Sequence, residues 1–518
     1  MLKAALIFQN GMVLQRDKKI SFWGTAEKNR EISITLQGKT ASGYSDENGN
    51  WSIMVGPLSA SASEEVVVTC GDEKLCFSDV QVGDVWLAGG QSNMEFFMRY
   101  DADYGEELKL CENPNIRFFD YPEVSYEEQL DEADYFKNFA KWRKADSENL
   151  EWFSAVGYYF AKEIQANQNV PIGIIGCNWG GTPACAWMDE AAIKNGGGEV
   201  FLEEYAKAVE NLDLEEYNKN FLNDPSGWKT DPFSDTFGDL LMRGFGIEDI
   251  LEKITGKRPN PAEINMDEYN PVVGPKYERR PMGLYHSMLK QVVPYGLKGF
   301  LYYQGETDGD THPECYEGML SSLIECWRNL WKEKLPFLFV QLAPFGKWLN
   351  CDGTPYSIIR KAQQRVSETV ENTGMAVISD VGMEWDIHPK KKQPVGYRLA
   401  LQAENKVYGQ SVVCEAPTLS EAAIKADTLV LHFDNVGEGL HIQSESGELT
   451  GIKLFSNAKQ LDLNGMKANA NGNIVTIYNI ESVDSVRKVI FGDGGWYQIN
   501  LYNSAGIPAR PAQVCISE

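Results

Sequence analysis

Apolar and polar positions change rhythm twice along this chain. Up to about residue 80 the apolar residues fall in short alternating runs, Ile20 to Trp23, Ile32 to Leu36, Trp51 to Val55 and Val66 to Thr69, broken by turn-rich pieces such as 46–49. Period-two alternation at this spacing predicts a small β-sandwich. From Val82 to about Gly409, short unbroken apolar runs appear at Val85 to Leu87, Ile116 to Phe119 and Ile172 to Ile175, and again at Phe300 to Tyr303, Phe337 to Gln341 and Ala376 to Ile378. Helical stripes lie between several of them: Phe153, Val156, Phe160 and Ile164 share one face, as do Tyr316, Leu320, Leu323, Trp327 and Leu330, and Pro394 opens a further helix. Strands buried on both faces and alternating with helices predict a mostly parallel sheet covered on both sides.

After about residue 410 strand signals return, at Leu429 to Phe433, Ile452 to Phe455, Ile474 to Tyr478, Val486 to Phe491 and Trp496 to Tyr502. They form either a second sandwich or the remaining strands of one begun by the N-terminal segment. Three domains follow as an expectation: 1–80, 81–410 and 411–518. The stretch from Asp189 to Arg280 breaks the middle pattern. It is acidic and carries Tyr205, Tyr217, Trp228, Phe233, Phe237, Phe245, Tyr269 and Tyr277. Such an insertion is either a lid or wall over a pocket or a peripheral helical elaboration.

Composition narrows the functional classes. With 518 residues, 43% apolar and 24% charged, the chain has a soluble protein's make-up, and no run approaches the ~20 apolar residues of a membrane span. The formal charge of -26 argues against nucleic acid and anionic membrane surfaces, which select Lys/Arg patches. The opening residues carry one lysine and no small-residue cleavage site, so a cytoplasmic location is expected, although a secreted protein shorn of its leader reads the same way. Ten cysteines include no CxxC pair and no Cys/His cluster at zinc spacing, so reduced thiols and no metal are expected, with a Cys70–Cys76 bridge as the oxidised alternative. The oligomeric state is not set by these features.

Four polar segments each follow a predicted strand of the middle region: 88–92 with Gly89, Gly90, Gln91 and Ser92, 178–182 with Trp179, Gly180 and Gly181, 304–308 with Gln304, Glu306 and Asp308, and 379–388 ending in His388. In an open parallel sheet the carboxyl ends of the strands share one edge, where ligands bind. Those loops supply the parts of acyl transfer. Ser92 offers a hydroxyl at a strand-to-helix turn, His388 a base and Asp386 a carboxylate to orient it. Oxyanion donors are the Ser92 N–H, a Gly180 or Gly181 N–H and the Gln304 amide. Among the five histidines, His432 and His441 fall in β-type sequence and His312 is the rival base. Glu306 and Asp308 are expected to organise their loop.

Four blocks, GGQSNM, NWGGTPACAW, PMGLYHSMLKQVVPYGLKGFLYYQGETD and SDVGMEWDIHPKKKQPVGYRLA, resemble in order those of the sialate O-acetylesterase family, a carbohydrate-esterase branch of the SGNH hydrolases. The likeness extends to NGMVLQRDKKISFWGTA and INLYNSAGIPARPAQV, leaving out the 189–280 insertion. It implies a flavodoxin-like core with β-sandwich lobes, a Ser92, His388 and Asp386 mechanism, no cofactor, and O-acetylated sugars as substrates. Gln91, Asn93, Trp179, Glu306 and His286 are then candidate substrate-lining residues. The chain departs from the wider pattern in its acid, which is normally three residues before the histidine, where Trp385 stands; Asp386 is two before, with Glu384 and Asp380 as fallbacks. Acetylated sialic acids and neutral hemicellulose fragments such as acetylxylan both fit. A non-catalytic carbohydrate-binding protein is the reading of another class, disfavoured by the retention of Ser92, His388 and Gln304.

Overall fold

A computed structural model of the chain describes residues 1–222, 236–260, 264, 272–457 and 459–516. It consists of mixed sheets with helices, whose contacts group it into two compact units. The first comprises 1–154, 165–300 and 322–335, the second 155–164, 301–321 and 336–518.

The first unit is organised around the long strand Glu73–Gly90. Its opening residues are exposed or half-buried and pair antiparallel with Ser61–Cys70, whereas from Val80 onward every residue is buried. There the strand runs parallel to Ile172–Asn178, from Asp84 opposite Ile172 to Gly90 opposite Asn178. A sheet face left to water selects alternation and a strand covered on both faces selects an apolar run, so the change of pattern near residue 80 falls inside one continuous strand. Asn113–Asp120 continues the parallel order and Arg143–Ala145 pairs with it antiparallel.

The expected N-terminal strands are present as Ile20–Thr25, Glu31–Leu36, Asn50–Val55 and Ser61–Cys70. Lys39–Tyr44, which no apolar alternation announces, pairs with Glu31–Leu36 and buries none of its side chains. In the next hairpin Cys70 faces Glu73 and Cys76 faces Val67, so the two thiols stand out of register for a bridge.

Among its described residues the 189–280 stretch contains the helices Glu190–Asn195, Glu199–Val209, Leu214–Leu222, Phe237–Met242 and Ile247–Thr255, joined to turns and irregular chain. Tyr217 is buried within it and its hydroxyl accepts the Lys276 N–H at 3.0 Å. Trp228, Phe233 and Tyr269 lie outside the described residues.

In the second unit Phe337–Val340 and Thr373–Ala376 pair in parallel. The latter ends two residues before the expected Ile378, which is buried in the loop beyond. Helix Gln393–Lys406 carries Pro394 in its first turn, as expected. Helix Tyr356–Thr369 was not legible, because its buried face mixes Tyr356, Ile359 and Val366 with Arg360 and Gln363. Both polar side chains are bonded: Gln363 accepts the Leu342 N–H at 2.8 Å and donates to the Val340 carbonyl at 3.2 Å, and Arg360 donates to the Ala343 and Gly494 carbonyls.

The described residues of the C-terminal region form a short antiparallel pair, His441–Ile442 with Leu501–Tyr502, and two larger antiparallel sheets. One contains Thr418–Lys425, Thr428–Asp434, Ile474–Tyr478 and Lys467–Asn471, the other Ile452–Phe455, Lys488–Phe491 and Ala512–Cys515. Leu431, Phe433, Leu454, Val475, Val489 and Phe491 from both sheets share a core. Only Leu501–Tyr502 of the expected run Trp496 to Tyr502 is strand. Among the described residues no helix is long and apolar enough to cross a membrane.

Asp84 fixes the central strand of the first unit where its parallel pairing begins. Its fully buried carboxylate accepts from Arg16 Nε at 3.0 Å, Arg16 Nη2 at 2.9 Å and Gln15 Nε2 at 3.0 Å. Burial raises its pKa, but these hydrogen bonds and the charges of Lys298 and Arg16 outweigh it and hold the carboxyl below its usual value. Asp84→Ala leaves the guanidinium without this partner and is expected to cost about 3–5 kcal/mol, read as a lower urea midpoint with unchanged slope.

Candidate active site

The parallel ladder delivers two loops of the first unit side by side. Because Gly90 is opposite Asn178, the chain leaves both strands at the same level: Trp179 N–H donates to the Gly90 carbonyl at 3.2 Å and Asn178 Nδ2 to the Ala88 carbonyl at 3.1 Å. Gly90 has φ +135, which an L side chain rarely adopts, and this turns the chain into Gln91 and Ser92. The helix that follows is one turn, Ser92–Glu95. Ser92 is half-buried, Gln91 and Asn93 are buried, and Trp179 is 2% exposed.

Glu95 is the residue the sequence reading missed. Its Oε2 accepts the Gly180 N–H at 2.7 Å. A Cβ on Gly180 would stand 3.2 Å from that oxygen and 3.3 Å from Ser92 Cβ, so a side chain there would push the loop and the serine apart by a few tenths of an ångström. The Gly180 N–H, expected as an oxyanion donor, is thereby already given to a carboxylate. Its signal was present in the sequence: Glu95 is three residues after Ser92, one helical turn away. Burial, with the negative charge of Asp120, raises its pKa against the Gly180 hydrogen bond and Arg99. Burial likewise lifts Asp120 to about 6 and, with Glu95, Glu278 and Asp120 around it, Glu123 well upward. A Cβ on Gly181 would lie 2.9 Å from Arg279 Nη2, and Arg279 Nε is 3.4 Å from the Glu278 carboxylate. His286 is exposed on the short π-helix Tyr285–Leu289, edge-on to Tyr285.

The other candidate groups belong to the second unit. Gln304 follows strand Gly299–Tyr303 and is fully buried. Its Nε2 donates to Asp308 Oδ2 at 2.5 Å, while its Oε1 accepts from the Tyr302 and Tyr316 hydroxyls at 3.3 and 3.1 Å. These partners set the amide's orientation, so Asp308 organises this loop. Glu306, 3% exposed, opens the short helix Glu306–Asp310.

His388 is 5% exposed, with the Trp348 ring edge-on at 5.1 Å. Asp386 Oδ1 accepts the His388 backbone N–H at 2.8 Å and stands 3.4 Å from Nδ1, and its Oδ2 is 3.1 Å from Lys390 Nζ. Folding back onto the main chain of the histidine is what lets a carboxylate two residues earlier reach the ring. Of the fallbacks, Asp380 is held by Arg398 at 2.6 and 2.8 Å, and Glu384 is exposed with its carbonyl accepting the Gly346 and Lys347 N–H groups. The rival His312 has Nδ1 3.4 Å from Glu314.

Burial drives the imidazole pKa down to about 4, with Lys392 and Lys390 adding to it and Asp386 opposing it. Burial raises Asp386, but its bonds to His388 and the Lys390 charge prevail and bring it to about 2. The pair is thus neutral imidazole beside carboxylate at physiological pH, fit to accept a proton and to stabilise the cation formed. Lys392, fully buried with its ammonium 5.4 Å from the Tyr303 ring centre, carries a charge that no sequence pattern pointed to. Among the described residues no group of three or more His, Cys, Asp or Glu side chains is disposed to hold a metal ion.

The chain is similar to known carbohydrate esterases. Residues 270–403 match the family model described as carbohydrate esterase, sialic acid-specific acetylesterase. The sialate O-acetylesterase of Homo sapiens is 26% identical over 488 residues, covering 87% of this chain and 80% of the relative. That of Rattus norvegicus is 26% identical over 445 residues, covering 78% and 73%. A solved carbohydrate acetylesterase from Xanthomonas citri is 27% identical, with a TM-score of 0.73 and 99% of each chain covered.

The raised pKa of Glu95 has a signed consequence. Between the ordinary carboxylate value and the raised one, the folded state holds a proton the unfolded chain has lost, so this group's stabilising contribution is complete at low pH and disappears as pH rises. A glutamine side chain in its place has no proton to lose and keeps an acceptor for Gly180. The stability of Glu95→Gln relative to wild type is therefore expected to improve from pH 5 to pH 8 in urea titrations, whereas Glu95→Ala loses the acceptor and about 1–3 kcal/mol.

Proposed function

We propose that this member of the sialate O-acetylesterase family is a serine carbohydrate O-acetylesterase working through an acetyl-serine intermediate. The observation that carries the reading is the buried, neutral imidazole of His388 with Asp386 at its Nδ1 side. Ser92 Oγ attacks the acetyl carbonyl carbon as its proton passes to His388, and the imidazolium is stabilised by Asp386. The tetrahedral oxyanion collapses, the sugar oxygen leaves with the proton from His388, and water activated by the same imidazole releases acetate from Ser92. With the Gly180 N–H given to Glu95, the oxyanion falls to the Ser92 and Gly181 N–H groups and the Gln304 amide.

The fold we assign to this activity is a flavodoxin-like SGNH core over 81–410, flanked by β-sandwich lobes at 1–80 and 411–518. Gln91, Asn93, Trp179, Glu306 and His286 are proposed around the sugar. The substrate is an O-acetylated sugar, and acetate release from 9-O-acetyl sialic acid against acetylated xylan fragments separates the two chemistries raised by the sequence. A cytoplasmic location is also proposed, supported by the out-of-register Cys70 and Cys76.

Two outcomes test the mechanism. Ser92→Ala is expected to reduce acetate release from 4-nitrophenyl acetate by at least about 10³-fold with unchanged thermal melting; undiminished activity would end the reading. In the folded protein the imidazole protonates near pH 4 rather than at its usual 6.5. The acid limb of kcat/KM is accordingly expected well below pH 6.5, since this limb reports the free enzyme's base. A limb centred at 6.5 or above assigns the base elsewhere.

A further inference from the structure

The second unit holds a cleft of about 360 Å³ that the acyl-transfer chemistry does not use. Ser379, Asp380 and Gly382, at the start of the loop that ends in His388, form one wall, and C-terminal residues including Gln443, Glu448 and Trp496 form the other. Its volume lies in the range of about 300–1,000 Å³ that small-ligand sites occupy.

Both walls are fixed from behind. The Asp380 carboxylate is gripped by both Nη atoms of Arg398, which also donates to the Gly506 carbonyl at 3.0 Å. The turn before Trp496 is tied down by the buried Arg360, which donates to the Gly494 carbonyl, and by the Phe345 N–H, which donates to the Gly495 carbonyl at 2.9 Å. Asn500 is spent within the wall, accepting the Thr450 N–H at 2.9 Å and donating to the Glu448 carbonyl at 2.8 Å. A site so braced needs little ordering when a ligand enters.

What remains turned to the opening has a recognisable chemistry. The side-chain amides of Gln443 and Gln498 and the indole of Trp496 make no hydrogen bond among the described residues. A sugar ring offers an apolar face of C–H bonds and a rim of hydroxyls. An indole covers the face, and planar amides and carboxylates donate to or accept from the rim. The sign of charge is selective too: Glu448 and the Arg398-paired Asp380 line the cleft and no lysine or arginine does, so an acidic sugar would find no cation in the lining to offset its charge.

We propose that this cleft is a binding subsite for a neutral saccharide unit, holding part of an acetylated glycan on Trp496 away from the ester being cleaved. Saccharide binding here is independent of catalysis; its link to turnover rests on the esterase reading.

Calorimetric titration of the full chain with xylotetraose, cellotetraose and mannotetraose, and with N-acetylneuraminic acid as the anionic probe, tests it. At least one neutral tetrasaccharide is expected to bind, N-acetylneuraminic acid is not, and Trp496→Ala is expected to weaken binding at least about tenfold. The exposed Gln498→Ala, with an unchanged melt, is expected to weaken it as well, which guards against misfolding of the tryptophan variant. In kinetics, Trp496→Ala should raise KM for an acetylated oligosaccharide about tenfold while leaving kcat/KM for 4-nitrophenyl acetate within about twofold. No binding of any neutral tetrasaccharide, equal affinity in both variants, or tighter binding of N-acetylneuraminic acid would overturn the proposal. Persistence of hydrolysis in Ser92→Ala would instead remove the esterase reading and leave the calorimetric result standing.

Discussion

The parallel ladder between Glu73–Gly90 and Ile172–Asn178 is the constraint on which the first unit's chemistry depends. Pairing Gly90 with Asn178 makes two distant loops leave the sheet at one level, and a one-residue slip would turn every side chain to the opposite face. Register is held by Asp84, with Gln15 and Arg16 closing on it from the N-terminal segment. At the far end the Gly180 N–H to Glu95 bond joins the two loops beside Ser92. Neither end of the strand is a catalytic group, yet the position of the serine relative to Gly180 follows from both.

In the second unit the controlling influence is dehydration. Buried among Trp348 and two lysines, the His388 imidazole stays neutral far below its usual range, while Asp386, tied to the histidine's own backbone, stays ionised. Environment thus keeps both groups deprotonated, the imidazole neutral and the carboxylate charged, as the proposed base and its orienting partner require. Gln304 is fixed with the same economy, its oxygen between two phenols and its nitrogen on Asp308.

Much of this was legible in the sequence because period reports burial. The unbroken run Val85 to Leu87, the stripe from Tyr316 to Leu330, which forms the helix Tyr316–Trp331, and the proline at the start of Gln393–Lys406 each announced their elements. Helix Tyr356–Thr369 did not, since Arg360 and Gln363 occupy its buried face and satisfy backbone groups there. Strand Lys39–Tyr44 buries nothing and leaves no pattern. At the site, Ser92, Asp386, His388 and Gln304 stood in recognisable blocks. Trp348 and Lys392 act through packing and charge between segments far apart in the chain, which linear spacing does not encode, whereas Glu95 stands one helical turn from Ser92. The Gly180 N–H showed the limit most clearly: its place beside Ser92 could be foreseen, its commitment to Glu95 could not.

The central claim is that Ser92 is the nucleophile of an acyl-transfer site. Its most direct test is mass mapping of the folded protein after reaction with a fluorophosphonate. The account predicts one adduct, on the peptide bearing Ser92, absent after unfolding and suppressed by an acetylated oligosaccharide. An adduct on another residue, or none from protein that still releases acetate, would contradict it.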